Sequence, residues 1–347
     1  MRTTADRSIE DEHGKVVFYS AERFLEEIVN GGNCFICGSS PGSVVFNAEH
    51  VIPDWIVQRY DLNDSSMTLP GGTSIDYTRY KVPCCKNCND LMNITFEGPL
   101  SRLTTGGYSA VKDYLSKGGR EKIFSWLSLI FLKTHLKDRE RRINPDKRVE
   151  SARISELTDW GEMHHIHCLA RSFYNSAKIS DRAFGSLFVM RAKTGMPLGD
   201  YDYADYFPGR AILLRLGDVA FISVLNDSGI VAAMLANTIT GITGPLSAFQ
   251  CRELLARAAY ANMLIENRPT FHTDPRGDSL TIDAVLKQAP RHRPCVPEDF
   301  GKVYEAMLAT LIQDTPLPNK EEIKEHVRNG RWSFLFDPQG RFLTRAV

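Results

Sequence analysis

Five of the eight cysteines lie close to the N-terminus, and their spacing is suited to binding a metal ion. Cys34 and Cys37 form one C-x-x-C pair, and Cys85 and Cys88 form a second. Two such pairs supply four thiolates, the usual ligand set of a structural tetrahedral zinc site. The two-residue spacing favours Cys85 as a ligand, although the adjacent Cys84 could substitute for it. The alternative interpretation is a group of free, buried thiols.

The segment between the two cysteine pairs contains AEHVIPDWI, in which Glu49 and His50 are adjacent and Pro53 and Trp55 follow. The stretch SVVFNAEHVIP is rich in Val and Phe and predicts a strand that Pro53 ends. Successive side chains of a regular strand point to opposite faces. A site that uses both Glu49 and His50 therefore requires the strand to be irregular or finished at this point.

A short helix is predicted over NDLMNITFEGPL, directly after the second cysteine pair, and it should end before Gly98. Asn89, Asn93 and Glu97 are four residues apart and would share one face of that helix. Asparagine is unfavourable inside a helix and favourable as its N-cap. Asn89 could therefore be a cap instead, and Asn93 a solvent contact.

These residue types suit the hydrolysis of a phosphodiester. Neutral imidazole, with a pKa near ~6.5, is the natural base at cellular pH, and His50 is the candidate. A hard divalent cation prefers carboxylate and amide oxygens, which Glu49 and Asn89 offer. His50 could instead be a core histidine or one linked to the zinc site.

The order C-x-x-C, AEHVIP, C-x-x-C-N over roughly residues 30 to 100 resembles the HNH endonucleases, which belong to the His-Me finger (ββα-metal) nucleases. More narrowly, it is similar to bacterial HNH proteins with EHVIPxW and CxxCN motifs. The resemblance implies a ββα unit stapled by structural Zn²⁺, with Glu49 and Asn89 holding one Mg²⁺ or Mn²⁺ ion and His50 polarising water. Asn93 and Glu97 are weaker candidates for the same ion.

Two departures from the family pattern leave the preferred metal open. The family often has Asp or His where this chain has Glu49, and many members have His where it has Asn89. The resemblance further implies DNA as the partner, a bacterial or phage origin, and a role in restriction or anti-phage defence. The alternative is a non-catalytic zinc-stabilised module that binds nucleic acid or protein. A third hypothesis is a nuclease that stays silent until the C-terminal domain binds a ligand or partner.

Length and charge set the frame for these motifs. The chain has 347 residues, beyond the size at which single cores usually stop growing. We therefore expect an α+β protein with a nuclease module and its following helix at 1–145 and a larger mixed domain at 146–347. The second domain would serve recognition, sensing or oligomerisation. The whole chain carries 42 basic and 42 acidic side chains, which produce no global positive field, so a nucleic-acid surface would have to be local.

The polar N-terminus and the short length of the longest apolar run predict a cytoplasmic protein without a membrane span. The N-terminal residues are too polar for a signal peptide. The longest apolar run, IFSWLSLIFLKTHL, is too short to cross a bilayer. That run lies in a helix predicted at 121–142 and buried along much of its first half. The end of the helix and the following loop carry a basic run that is either a solvated face or a phosphate-binding surface: Lys133, Lys137, Arg139, Arg141, Arg142, Lys147 and Arg148.

The remaining sequence predicts further strands and helices. The histidines of MHHIHCLA (163–170) are interpreted as strand surface, with a metal site as the weaker alternative. Strands are predicted in GSLFVMRA and, as a hairpin, in RAILLRLGDVAFISVLND. Helices are predicted in SAFQCRELLARAAYANMLIEN, FGKVYEAMLATLIQ and EEIKEHVRNG. A terminal hairpin is predicted in RWSFLFDPQGRFLTRAV.

Overall fold

The computed structural model describes residues 1–69, 73–144, 146, 148–157, 159–195, 199–276 and 279–344. Its strands, in chain order, are β1 Arg2–Thr3, β2 Ile9–Glu10, β3 Val16–Phe18, β4 Phe46–His50, β5 Ser66–Thr68, β6 Ser74–Asp76, β7 Lys81–Cys85, β8 Lys178–Ile179, β9 Leu187–Arg191, β10 Tyr201–Tyr206, β11 Ala211–Leu216, β12 Val219–Val224, β13 Thr270–Arg276 and β14 Ser279–Val285.

The α-helices follow the same order. They are α1 Ala21–Arg23, α2 Asp54–Arg59, α3 Lys86–Met92, α4 Gly98–Thr105, α5 Gly107–Ser116, α6 Arg120–Asp138, α7 Ile154–Leu157, α8 Met163–Ala170, α9 Ser172–Asn175, α10 Ile230–Met234, α11 Ala236–Gly241, α12 Ala248–Leu264, α13 Pro297–Asp314 and α14 Lys320–Arg328. Two π-helical segments, Phe24–Asn30 and Asn93–Glu97, adjoin α1 and α3. The fold is thus mixed α+β, as predicted.

The backbone contacts divide the chain into two compact units. Unit 1 comprises Met1–Arg102, Ser125–Ser180 and His272–Asp283. Unit 2 comprises Leu103–Phe124, Asp181–Phe271 and Ala284–Val347. Residues 146–180 therefore group with the N-terminal segment, whereas the sequence-based division fell between residues 145 and 146. That division concerns functional modules and stays a prediction.

The predicted strand around the Glu-His pair is β4, and it ends at His50. β4 pairs antiparallel with β7, in a register that runs from Phe46 opposite Cys85 to His50 opposite Lys81. β7 leads directly into α3 at Lys86, and α3 packs against both strands. Two paired strands and a helix therefore carry the motif residues, although residues 51–80 separate the strands in sequence.

The helix after the second cysteine pair differs from its prediction at both ends. It begins at Lys86 with Cys85 as its N-cap, so Asn89 is an interior residue and not the cap. It also continues past Gly98 into α4 through a π-helical turn, in which the Gly98 N–H donates to the Asn93 carbonyl. The predicted end before Gly98 is wrong because Pro99 lies in the first turn of α4, where a missing N–H is tolerated.

The long apolar helix is confirmed as α6, and its burial extends further than predicted. Residues 123–136 are buried, including Lys133, of which only 1% is exposed. The solvated-face interpretation is therefore wrong for Lys133, which is buried inside unit 1. Arg148 is exposed and Lys147 lies outside the described residues; the half-buried members are Lys137, Arg139, Arg141 and Arg142.

The histidine-rich segment is a helix, and the strand interpretation is wrong. MHHIHCLA forms α8, in which Met163 and residues 165–170 are buried. A helix that is buried on most sides is apolar at most positions, so its sequence lacks the 3.6-residue period that would distinguish it from a buried strand. His164 and Cys168 consequently lie one helical turn apart, with 3.8 Å between the His164 Nε2 and the Cys168 Sγ.

Unit 2 is built on an antiparallel sheet in the order β10-β11-β12-β9. The predicted strand GSLFVMRA is β9, and the predicted hairpin is β11 and β12, joined at Gly217. α12 packs against the sheet and against α13, and it begins with a capping box between Ser247 and Gln250. These helix and strand predictions are confirmed.

The C-terminal predictions are confirmed with one qualification of extent. α14 ends before Asn329 and Gly330, and the terminal hairpin is a turn with a single bridge between Phe336 and Phe342. The buried carboxylate of Glu253 fixes this segment, since it accepts hydrogen bonds from the Phe334 N–H at 2.6 Å and the Tyr304 hydroxyl at 2.8 Å.

Candidate metal centre and candidate active site

The four predicted cysteine ligands meet in unit 1. The Sγ atoms of Cys34, Cys37, Cys85 and Cys88 all lie within 4.8 Å of one another, a grouping that could hold a metal ion such as zinc. Cys37 is half-buried and the other three are buried. Cys84 is not a member of this group, although its Sγ lies 3.7 Å from that of Cys34. The group that could hold a metal ion therefore contains Cys85, the residue that the spacing favoured, and not Cys84.

Local backbone geometry forms both cysteine knuckles. In the first, the Cys34 N–H donates to the Ser39 carbonyl at 2.9 Å, and the Gly38 N–H donates to the Cys34 carbonyl at 2.8 Å. Gly38 has a φ of +78°, and a Cβ there would lie 1.6 Å from the Tyr19 hydroxyl. Only glycine fits this turn. In the second, the Cys88 N–H donates to the Cys85 Sγ at 3.4 Å, where a helix N-terminus favours a thiolate.

The crowded thiols depend on one another for their protonation. Hydrogen bonds from the Cys37, Cys84 and Cys88 thiols lower the pKa of Cys34. Its hydrogen bond with Cys34 in turn raises the pKa of Cys88, and burial raises the pKa of Cys85 to about 11. A bound divalent cation would replace the remaining thiol protons, because all four ligands must be thiolates.

A distant helix holds the first knuckle in place. The His167 Nε2–H of α8 donates to the Phe35 carbonyl at 2.9 Å, and the Arg171 Nε donates to the Ile36 carbonyl at 3.0 Å. Burial lowers the pKa of His167, which keeps its ring neutral. Arg171 is 1% exposed, and its other nitrogens donate to the carbonyls of Val16 and Val17. Sequence reasoning missed both residues, because nothing local links 167 and 171 to 35 and 36.

Glu49 is buried in an ion pair. The Lys133 ammonium donates to the Glu49 Oε1 at 2.7 Å and to the His50 carbonyl oxygen at 2.6 Å. The two side chains are 7% and 1% exposed. α6 therefore fixes both the carboxylate and the backbone of the Glu-His pair. The only sequence signal for this role was a lysine inside the apolar run IFLKTHL.

His50 lies at the end of β4 in a mixed environment. Its side chain is 21% exposed, and its Nε2 lies 3.8 Å from the Asp54 Oδ1. Burial, followed by the positive charge of Lys81, lowers the pKa of His50. The imidazole is therefore neutral at pH 7, the state that a general base requires. Strand alternation places Glu49 and His50 on opposite faces. A site that uses both requires the strand to be irregular or finished here, and the strand does end at His50.

Glu97 belongs to the electrostatic environment of Glu49. Burial raises the pKa of Glu97 to about 7; Lys133 opposes this shift, and Glu49 and Asp54 add to it. Carboxylates of Glu49, Glu97 and Asp54 therefore share one neighbourhood with the Lys133 ammonium. Asp54 and Lys81 were not among the predicted site residues, although both flank the motif strands.

The two candidate asparagines are placed differently from each other. Asn89 is half-buried, one turn into α3, and its carbonyl accepts the Asn93 N–H. Asn93 is exposed. Over the part of the chain that the structure describes, no hydrogen bond connects the Asn89 side chain to Glu49 or His50.

Trp55 of the motif has a packing role. Its ring stacks on that of Trp126 with the centroids 6.2 Å apart, and the Arg59 guanidinium lies 4.5 Å from the centroid of the Trp55 ring. The stacking of Trp55 on Trp126 attaches α2, the helix that begins at Asp54, to α6. The position of Asp54 beside His50 follows from this attachment.

No protein-family model matches this chain, and comparisons with curated proteins and with solved structures find no match either. Among the described residues, none of the helices combines the length and the apolar character needed to cross a membrane.

Proposed function

We propose that this protein is a metal-dependent HNH-type endonuclease that hydrolyses phosphodiester bonds in DNA, with His50 as the general base. One observation carries the proposal. The strand that ends in Glu49 and His50 pairs in register with the strand that leads into the cysteine-capped helix of Asn89. The parts of the motif that resemble an HNH nuclease are thus arranged on two strands and one helix beside a group of four cysteines.

The residues around Glu49 suit a hard divalent cation. The charges of Glu49 and Asp54 both act on Glu97, so three carboxyl groups lie in one neighbourhood, and carboxylate oxygens are the ligands that Mg²⁺ and Mn²⁺ prefer. Glu49 and Asn89 are the proposed ligands, and Glu97 is better supported than the exposed Asn93 as a third. When bound, such an ion would stabilise the charge that develops on the phosphate and the leaving oxygen. Zn²⁺ at the cysteines would have a structural role.

The proposed chemistry is carried by His50. Its neutral imidazole accepts a proton from a water molecule, and the water oxygen attacks the phosphorus atom. The bond from phosphorus to the leaving sugar oxygen breaks, and that oxygen takes a proton from solvent. The Asp54 carboxylate, 3.8 Å from the His50 Nε2, stabilises the imidazolium that forms.

The wider setting of the enzyme is part of the same proposal. DNA is the proposed partner because the elements of this kind lie against the duplex backbone in the resembling enzymes. The C-terminal domain at 146–347 would recognise DNA, form homo-oligomers, or bind an activating ligand or partner protein. Action in the cytoplasm, in restriction or anti-phage defence, accords with the resemblance.

The test is cleavage of supercoiled plasmid with Mg²⁺ or Mn²⁺ by the wild type and by His50→Ala. His13→Ala is the matched control, because the His13 side chain is 82% exposed and remote in sequence from the motif. All three proteins are first shown to be folded and zinc-loaded. We expect the wild type and His13→Ala to nick or linearise the plasmid and His50→Ala to leave it intact.

Equal cleavage by all three proteins would refute the assignment of His50. Absence of cleavage by the folded, zinc-loaded wild type would refute nuclease activity of the isolated chain. A gel-shift assay on the same plasmid would then test the non-catalytic zinc module.

A further inference from the structure

Lys81 lies beside the candidate base. It is the first residue of β7 and stands directly opposite His50 in the antiparallel pair. Directly opposed residues project from the same face with their Cβ atoms about 4.5–5.5 Å apart. The Lys81 side chain is half-buried, and its charge acts on the imidazole of His50.

The ammonium of Lys81 has no ion-pair or hydrogen-bond partner among the described residues, whereas nearby cations do. Lys133 is neutralised by Glu49 at 2.7 Å, and Lys86, just beyond the other end of β7, is paired with Asp90. A half-buried cation without an anionic partner is unfavourable, because burial removes part of the solvent that would otherwise stabilise its charge. Such an arrangement typifies functional sites, in which an anionic ligand supplies the missing charge.

We propose that Lys81 binds a non-bridging oxygen of the substrate phosphodiester, next to the bond that is cut. This inference rests on the proposed function, because it places the phosphate within reach of His50. Lysine suits the role as a flexible point charge with several donors. The contact would neutralise one phosphate charge, and it would release one counterion from the DNA on binding.

The test is DNA binding in the His50→Ala background, measured by fluorescence anisotropy of a labelled duplex over a range of salt concentrations. We compare the parent with variants that add Lys81→Met or Lys86→Met. Lys86→Met is the matched control, a lysine just beyond the opposite end of the same strand that already has a partner. We expect Lys81→Met to weaken binding roughly tenfold at low salt and to reduce the slope of log K against log salt by about 0.9.

Lys86→Met should change both quantities much less. Equal affinity and equal slope for Lys81→Met and its parent would overturn the inference, as would a decrease of the same size in Lys86→Met. In the cleavage assay, Lys81→Met with His50 intact should lower kcat/KM by a similar tenfold factor.

The two proposals fail in different ways. A wild type that cuts DNA while Lys81→Met binds with an unchanged slope refutes the role of Lys81 alone. A wild type that binds DNA without cutting it, and whose slope falls in Lys81→Met, refutes the nuclease alone. Absence of DNA binding by the parent refutes both.

Discussion

The raised pKa of Glu97 makes the stability of the metal-free site depend on pH in a defined direction. Its folded-state pKa is about 7, against an ordinary value of 4.5. A carboxyl group whose pKa is raised by folding costs stability as pH rises from its unfolded to its folded pKa, and the cost is constant above that range. At about 1.4 kcal/mol per pKa unit, the cost is about 2 kcal/mol at pH 6 and about 3 kcal/mol at pH 8.

Glu97→Gln removes this cost because the amide does not ionise. We expect it to stabilise the protein relative to the wild type, by about 1 kcal/mol more at pH 8 than at pH 6. The assay is urea unfolding of zinc-loaded protein without Mg²⁺ or Mn²⁺ at the two pH values. Glu22→Gln, which alters an exposed carboxyl group of α1, is the control and should show no such difference.

The reasoning would be refuted if Glu97→Gln stabilised the protein equally at pH 6 and pH 8. It would also be refuted if Glu22→Gln showed the same dependence on pH. The stabilisation of each protein by added Mg²⁺ is a second test of the same site. Mg²⁺ should stabilise the wild type more than Glu97→Gln at pH 8, because only the wild type offers the additional carboxylate. Equal stabilisation would remove Glu97 from the proposed ligand set.

Three further predictions concern the zinc site, the buried ion pair and the helix. Cys88→Ser should lose zinc and unfold unit 1, whereas Cys295→Ser, at an exposed position, should retain its zinc and its fold. Metal analysis and circular dichroism check this. Lys133→Met should cost about 3–5 kcal/mol in urea unfolding, because it leaves the Glu49 carboxylate buried and unpaired, and adding Glu49→Gln should restore more than half of it. Asn89→Ala should abolish plasmid cleavage with an unchanged melting temperature, since Asn89 does not cap its helix; a large fall in that temperature would contradict a ligand role.

The candidate site was predictable where its geometry is local. The spacing of the cysteines identified the four sulfur atoms that meet, and the Val-rich stretch before Pro53 identified the strand that carries Glu49 and His50. Both signals involve residues that are close together in sequence, so they can be recognised without knowledge of the fold.

The contacts that complete the site arise from segments far apart in sequence. Lys133 looked like the start of a solvated basic run, yet it is buried and paired with Glu49, 84 residues away in sequence. The histidines of α8 looked like a strand because a helix that is buried on nearly all sides gives no helical period. The sequence left a cap open as the alternative role of Asn89, but the thiol of Cys85 is the cap and accepts the Cys88 N–H in the first turn of the helix.

Because α8 and Arg171 donate hydrogen bonds to the first knuckle, the segment that carries the four cysteines depends on residues far beyond it in sequence. A fragment that stops at residue 145 would retain all four cysteines but lose the donors to the carbonyls of Phe35 and Ile36. Water would have to replace those donors, and the knuckle would lose the contacts that fix its backbone when zinc is supplied. Recombination or gene fusion that moved the cysteine motifs to another protein would therefore have to move residues 163–171 with them.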